Sequence, residues 1–418
     1  MAADPRDGGA DAAPAAVHDF AAKLQQPALW PAVRDYVAWQ RRARAATAAG
    51  QPLPDLPDRA PLSINLDLTT ACNYACDHCI DWDILNQKQK HDDELLRAAL
   101  ERMVPRGLRS VILIGGGEPT LYPGFVPFVQ FLKQLGLQVA VVSNGSRNDR
   151  ILQAAQYLGA GDWVRLSLDA ASNDLWRRMH KPQKATLTLD EICSFVPAIK
   201  AAQPALQMGF SFVITWRGGS RGAVEVHENL HEMAAAATRA AQSGFDYISF
   251  KPFLERQDDG AEVLDPAKVR GELAAVLARI EQGLRASREA TAGFPGFRVV
   301  VSTNLRVLLA GTWRDYTQQP RTCHMQMLRQ VLTPLGTFNC PAHRGVAKAQ
   351  LGKAELWAVP AAGQAATAGI LGRFDAGVEC QQVTCLYHGA NWWLEGLIEA
   401  GADLPVELPV EERRDWFL

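Results

Sequence analysis

"SINLDLTTACNYACDHC" (residues 63–79) runs an apolar-alternating segment straight into a loop that carries three thiols within eight residues. The first part reads as a strand, because side chains on an extended chain alternate faces with a period of two. Similar runs recur at SVILIG (110–115), QVAVVS (138–143), WVRLSL (163–168), MGFSFVI (208–214) and YISFKPF (247–253). Helical patterns lie between them near 93–104, 122–135, 148–158, 189–202 and 224–242. Six strands, each followed by a helix, predict a parallel sheet with right-handed crossovers. Eight such units would close a barrel. Six predict an α/β fold, a partial (β/α)6 TIM-like barrel with its chemistry at the C-terminal strand ends. The cysteine loop follows the first of those ends.

The flanks have a different texture. Residues 1–14 read as a disordered tail, and a helical pattern from 17 to 48 is interrupted by Pro27 and Pro31. GQPLPDLPDRAPL (50–62) reads as an extended linker. A further helix is expected near 265–289, and FRVVVST (297–303) opens a region of irregular spacing. That region contains four cysteines, a hairpin-like RQVLTPLGTFNC (329–340) and a Trp-rich helix around 392–400. The expected division is 1–60 for the tail, helix and linker, 61–296 for the barrel, and 297–418 for a small cysteine-rich module.

A net charge of −2 offers no general attraction to nucleic acid or to an anionic membrane surface. No run approaches the roughly 18 apolar residues needed to span a bilayer. The first residues lack the basic start and apolar centre of a signal peptide, so a cytoplasmic, reducing setting is expected. Eight cysteines in that setting point to metal ligands before disulfides.

Cys72, Cys76 and Cys79 follow a C-x3-C-x2-C spacing. Structural zinc takes a closed set of four ligands. A cubane iron–sulfur cluster held by three thiolates keeps one iron open for a further ligand. In this the loop resembles that of the radical S-adenosylmethionine (radical SAM) enzymes, whose spacing it shares; His78 stands where they carry an aromatic residue. The resemblance implies a [4Fe–4S] cluster on these three cysteines, with S-adenosylmethionine (SAM) on the open iron and His78 against the cofactor. GGGEPT (115–120) ends the second strand run. By itself it reads equally as a strand-to-helix turn, and a dinucleotide fingerprint fails because Thr120 occupies the sixth position. The resemblance assigns Gly115, Gly116 and Glu118 to the methionyl amino group of SAM. It likewise places Ser143 and Asn144 of SNG, and Ser167 and Asp169 of SLDA, at the cofactor's ribose or carboxylate; helix capping accounts for the same residues without a ligand. From RRMHK (177–181) Arg178 is the expected carboxylate partner, with a solvated helix face as its alternative. Lys251, a charge in a core-like run, is expected to face the substrate.

Cys323, Cys340, Cys380 and Cys385 make a second group. Their order resembles the twitch form of the SPASM/twitch extension carried by a subset of radical SAM enzymes, and this implies a second [4Fe–4S] cluster. GTFNC has three residues where the family usually has four, and CQQVTC is wider than in some relatives, so a structural zinc site stays open as the alternative. His324 and His343 are expected to be hydrogen-bonded structure, and Cys193 a core residue. The resemblance implies reductive cleavage of SAM to a 5′-deoxyadenosyl radical and hydrogen abstraction from a peptide or small-molecule substrate. An oxidation or cross-linking completed through the second cluster would follow, with an electron donor such as flavodoxin or ferredoxin. A redox-neutral radical SAM enzyme with structural zinc, and a non-catalytic iron–sulfur scaffold, are the competing readings.

Overall fold

All six expected strand runs form strands, and their register places them side by side. The computed structural model describes residues 19–257, 259–264, 266 and 272–418, so the expected tail over 1–14 lies outside the described residues. The strands are β1 (Ser63–Leu66), β2 (Ser110–Leu113), β3 (Gln138–Ser143), β4 (Trp163–Ser167), β5 (Gln207–Ile214), β6 (Ser220–Arg221), β7 (Val224–Glu225), β8 (Tyr247–Pro252), β9 (Glu255–Arg256), β10 (Glu262–Val263), β11 (Arg298–Val301), β12 (Arg329–Thr333), β13 (Gly336–Phe338) and β14 (Gln350–Gly352). The main sheet runs β11-β8-β5-β4-β3-β2-β1-β12-β13-β14 and is open at both edges.

The order corrects the expected boundary at residue 296. β11, read from sequence as the start of the C-terminal module, pairs in parallel with β8 as Val299↔Ile248. β12 pairs in parallel with β1 as Ile64↔Gln330, so the module's hairpin continues the barrel sheet. Its turn is at Pro334 and Leu335, with Thr333 opposite Gly336.

One face of each strand carries the main core. Ile64, Leu66, Val111, Leu113, Val139, Val141, Val164, Leu166, Phe210, Phe212, Ile248 and Phe250 are all buried in it against the crossover helices. Full burial stabilises each such side chain by about 1.5–3 kcal/mol. The helices start where the chain supplies an oxygen: Asp92 caps Asp93–Met103, and Ser172 caps Asn173–His180.

The N-terminal segment is not a free appendage. Helix Trp30–Ala48 tolerates Pro31 in its first turn, where no amide hydrogen bond is lost. Trp30, Val33, Tyr36 and Val37 share a core with Leu394 and Ile398 of helix His388–Glu399. Residues 413–418 cross the N-terminal ends of β1–β4. There the Ser110 hydroxyl donates to the Trp416 carbonyl (2.7 Å) and the Trp416 amide donates to Gln138 Oε1 (2.9 Å). Phe417 buries against Ile112, Ala140 and Trp163. The barrel is therefore filled from below, which leaves the C-terminal strand ends for chemistry. No helix among the described residues is long and apolar enough to cross a membrane.

Candidate active site and a second cysteine centre

The cysteine loop is tied down by the end of helix Asn173–His180, whose last carbonyls have no partner within the helix. The Ala75 amide donates to the His180 carbonyl (3.2 Å) and the Asp77 amide to that of Met179 (2.9 Å). Lys181 ends the helix in the left-handed region at φ 45° and forms an ion pair with buried Asp77. Asp77 also meets His227 Nδ1 at 2.5 Å. RRMHK thus serves the loop through its backbone, Lys181 and His180. His180 lies with Nδ1 3.2 Å from Cys76 Sγ and Nε2 3.0 Å from the Leu168 carbonyl. Arg178, the expected carboxylate partner, is exposed, because two residues along a helix point in different directions.

Burial pushes the Cys72 thiol up to about 11, that of Cys79 up to about 12, and that of Cys76 well above its ordinary value. Iron binds the thiolate. A bound cation must therefore supply the drive to deprotonate them, as metal ions do for coordinating thiols. Three half-buried thiols in one loop suit a cationic cluster. His78 stands inside the same loop, with Nε2 2.9 Å from Asp169 Oδ2. Asp169 holds φ 54°, and its Oδ1 accepts from the Val213 amide (2.6 Å). Burial opposes the charged form of Asp169, but His78, His180 and that amide outweigh it and hold its carboxyl below the ordinary range.

The GGGE segment lies against the cysteine loop. A Cβ on Gly115 would fall 1.9 Å from Asp67 Oδ1, and one on Gly117 would fall 2.3 Å from the Thr69 carbonyl. The missing side chains therefore admit the protein's own Asp67 and cysteine-loop backbone. The Gly116 amide donates to Asp67 Oδ2 (3.0 Å), and the Glu118 amide donates to the Ala71 carbonyl (2.8 Å). Glu118 is buried. Its Oε1 accepts from Thr120 N (3.0 Å), Thr120 Oγ1 (2.5 Å) and Ser143 Oγ (2.8 Å), and its Oε2 from the Asn144 amide (2.7 Å). Burial raises its carboxyl while these donors pull it back. Ser143 and Asn144 meet Glu118 directly, and the Asn144 side chain reaches Asn73 in the cysteine loop (3.0 Å). Ser167 is half-buried at the end of β4, opposite Ser211.

Asp67 has a partner that no local pattern reveals. Arg344, from the C-terminal module, places Nε 3.0 Å from Asp67 Oδ2 and Nη1 2.8 Å from Asp81 Oδ2. Arg256 reaches Asp81 (3.4 Å) and the Arg344 carbonyl. These charges join the glycine segment, the cysteine loop and the module that holds the second cysteine set.

Cys323, Cys340, Cys380 and Cys385 line one cavity with His343, Tyr387 and Asn391. Burial, with the neighbouring sulfurs adding to it, pushes Cys340 up to about 12 and holds Cys380 and Cys385 well above the ordinary thiol range. His343, expected to be plain structure, has Nε2 3.6 Å from Cys380 Sγ. His324 is held by Tyr36 (2.7 Å) and Glu395 (2.7 Å). Cys193 is buried in the main core. A tetrahedral zinc site with bonds of about 2.3 Å brings its sulfurs within about 3.8 Å of one another. Among the described residues no three cysteine sulfurs lie within 4.8 Å of one another. A cubane holds each thiolate on a separate iron and spreads them farther apart.

Residues 66–204 match the model of the Radical SAM superfamily. An S-adenosylmethionine-dependent nucleotide dehydratase of Thermoplasmatales archaeon (strain ISO4-H5) is 32% identical over 108 residues, covering 26% of this chain and 38% of the relative. Mycofactocin maturase MftC of Mycobacterium tuberculosis (strain ATCC 25618 / H37Rv) is 30% identical over 198 residues, covering 44% and 43%. The chain thus spans less than half the length of either relative. Among solved structures, Streptococcus suis SuiB bound to S-adenosylmethionine shares the fold at TM-score 0.51 and 12% identity, covering 75% of this chain and 66% of that one. The structure of anSMEcpe with bound AdoMet does so at TM-score 0.51 and 15% identity, covering 77% and 82%.

Proposed function

We propose, starting from the match of residues 66–204 to the radical SAM superfamily model, that this protein is a radical SAM enzyme that abstracts hydrogen from a peptide or small molecule. Cys72, Cys76 and Cys79 would hold a [4Fe–4S] cluster that takes SAM, and Cys323, Cys340, Cys380 and Cys385 a second [4Fe–4S] cluster. When bound, the first group supplies reductive cleavage of SAM to a 5′-deoxyadenosyl radical, and the second an acceptor for the electron left on an oxidised substrate.

The protein's own part is positioning. The Glu118 carboxylate is fixed by four hydrogen bonds, three of them on Oε1, so Oε2 keeps a lone pair for a cofactor ammonium. Asp169 orients His78 beside Cys79, and His180 braces Cys76. Arg344 neutralises Asp67 and Asp81, so the loop around the thiols keeps its shape. The observation that carries the reading is the loop at the end of β1: three cysteines at C-x3-C-x2-C spacing, held against the glycine segment by the Glu118 amide on the Ala71 carbonyl.

The substrate class has support in two directions. A maturase and a nucleotide dehydratase are both similar to this chain over part of its length, so peptide and small-molecule substrates both stand.

Anaerobic reconstitution followed by dithionite and SAM tests the reading. The expected result is 5′-deoxyadenosine well above a Cys76→Ala control, with about eight irons per chain. No excess over that control would sink the enzymatic reading. About four irons with one zinc would return the C-terminal module to a structural role. Deuterium transfer into 5′-deoxyadenosine from labelled peptides or metabolites would then identify the substrate.

A further inference from the structure

Two cations on the inner face of the barrel have no carboxylate at ion-pair distance among the described residues. Arg165 on β4 and Lys251 on β8 alternate with Leu166 and Phe250, which are buried in the main core, so both point to the opposite, lumen face. The register sets them two strands apart and four residues apart in height, on one face: Arg165 pairs with Gly209 and Gly209 with Tyr247, while Ser211 pairs with Ser249 and Val213 with Lys251, and the charge of Arg165 still reaches Lys251. Lys251 Nζ donates to Ser211 Oγ (3.2 Å). The Arg165 Nε and the Ser249 hydroxyl are buried with no hydrogen-bond partner. Arg165 otherwise lies over the Trp163 ring (5.2 Å). Both residues are half-buried, and ions withdrawn from water are normally paired.

The nearby acids do not fill the role. Asp169 is engaged by His78 and the Val213 amide, and burial pushes Glu262 up to about 7. Burial and Arg165 together hold the Lys251 ammonium well below its ordinary value, while Asp169 and Glu262 only partly oppose this. An anion arriving from outside would relieve both cations and satisfy the free Arg165 and Ser249 donors at once. We propose that Lys251 and Arg165, with Ser249 between them in height along the strands, form a subsite for an oxyanion of the substrate, a carboxylate or a phosphate. Asp169 belongs to the cysteine-loop side and Glu262 lines the second cysteine cavity, and both act on Lys251. The subsite thus anchors a substrate between the two cysteine centres. The assignment rests on the reading that the barrel lumen receives the substrate.

The test is calorimetric titration of the reconstituted protein with inorganic phosphate and, separately, with acetate at constant ionic strength. At least one anion is expected to bind at a single saturable site. Lys251→Met and Arg165→Met are each expected to weaken it tenfold or more, with SAM affinity held within twofold and the exposed Lys184→Met variant unchanged. Preference for phosphate indicates a phosphorylated substrate, and preference for acetate a carboxylate. No saturable site for either anion overturns the proposal. So does a tenfold loss of SAM affinity in the same variants, which would give the pair to the cofactor. A second measurement needs no variant: the preferred anion should slow acylation of Lys251 at least threefold, read by mass spectrometry, and leave Lys184 unaffected. Absence of protection would equally overturn it. Neither readout requires SAM cleavage, so a protein that binds the anion but forms no 5′-deoxyadenosine would fail the proposed function and keep the subsite.

Discussion

Replacing Arg344 by Met removes one guanidinium from between two buried carboxylates and leaves the packing volume nearly unchanged. Arg344, Asp67 and Asp81 side chains are 4%, 1% and 8% exposed, so water cannot take over the pairing. Breaking a buried pair from one side costs about 3–5 kcal/mol, because a buried charge is left uncompensated. With an unfolding entropy of about 2.1 cal/mol/K per residue, about 4 kcal/mol in a chain of 418 residues lowers the melting midpoint by about 4–5 °C. The loss has a pH dependence whose sign follows from Asp67. Burial pushes its carboxyl up to about 7, Arg344 pulls it down and Asp81 pushes it up again. A carboxyl raised above its unfolded value of about 3.9 binds more protons when folded, so its contribution is lost as pH rises through about 7. Without Arg344 that value climbs further, and the stability slope near neutrality steepens toward about 1.4 kcal/mol per pH unit. The deficit should therefore be larger at pH 8 than at pH 5.5. Anaerobic melting of the reconstituted protein at both values reads it directly. A deficit under about 1 °C at pH 8, or one that grows on acidification, would refute the assignment of Arg344 as the charge joining the two modules.

Gly117→Ala drives a Cβ to within 2.3 Å of the Thr69 carbonyl and 2.8 Å of the Ala71 carbonyl. Backbone cannot yield there, so iron retained on the first loop should fall by at least half while iron on the second set persists, as cysteine-variant iron counts would show. Glu118→Gln turns a carboxylate with four donors into an amide that can satisfy only part of them. At about 1.5–3 kcal/mol for hydrogen bonds to a charge, SAM binding should weaken roughly ten- to a hundredfold; an affinity within twofold of wild type would remove Glu118 from the cofactor site. Phe417→Ala empties the packing beneath β2–β4 and should cost about 3–5 kcal/mol. Because that plug sits at the strand ends opposite the cysteines, iron content and SAM binding should be unchanged, and a loss of either would contradict the separation.

The sheet was legible because its evidence is local. A period of two in runs such as QVAVVS marks a strand wherever it ends up, and cysteine spacing within one loop constrains what that loop can hold. Periodicity reports which face is apolar, however, and not which element covers it. FRVVVST therefore read as the start of a new module, although β11 pairs in parallel with β8. RRMHK was singled out as a cluster, but composition could not choose between Arg178 and His180. That choice depends on the rotation of the helix Asn173–His180 against the loop, and the packing of Trp176 and Met179 in the core sets it.

The parallel α/β architecture, the two cysteine sets and the glycine segment can be read off the chain directly, since each is written in neighbouring residues. It took the folded chain to show that Arg344 neutralises Asp67 and Asp81, that the glycines make room for Asp67 and the loop, and that Arg165 and Lys251 share the lumen face of the sheet. These are pairings between side chains far apart along the chain. Their energies come from burial and from the low dielectric around them, and those exist only once the strands are in register.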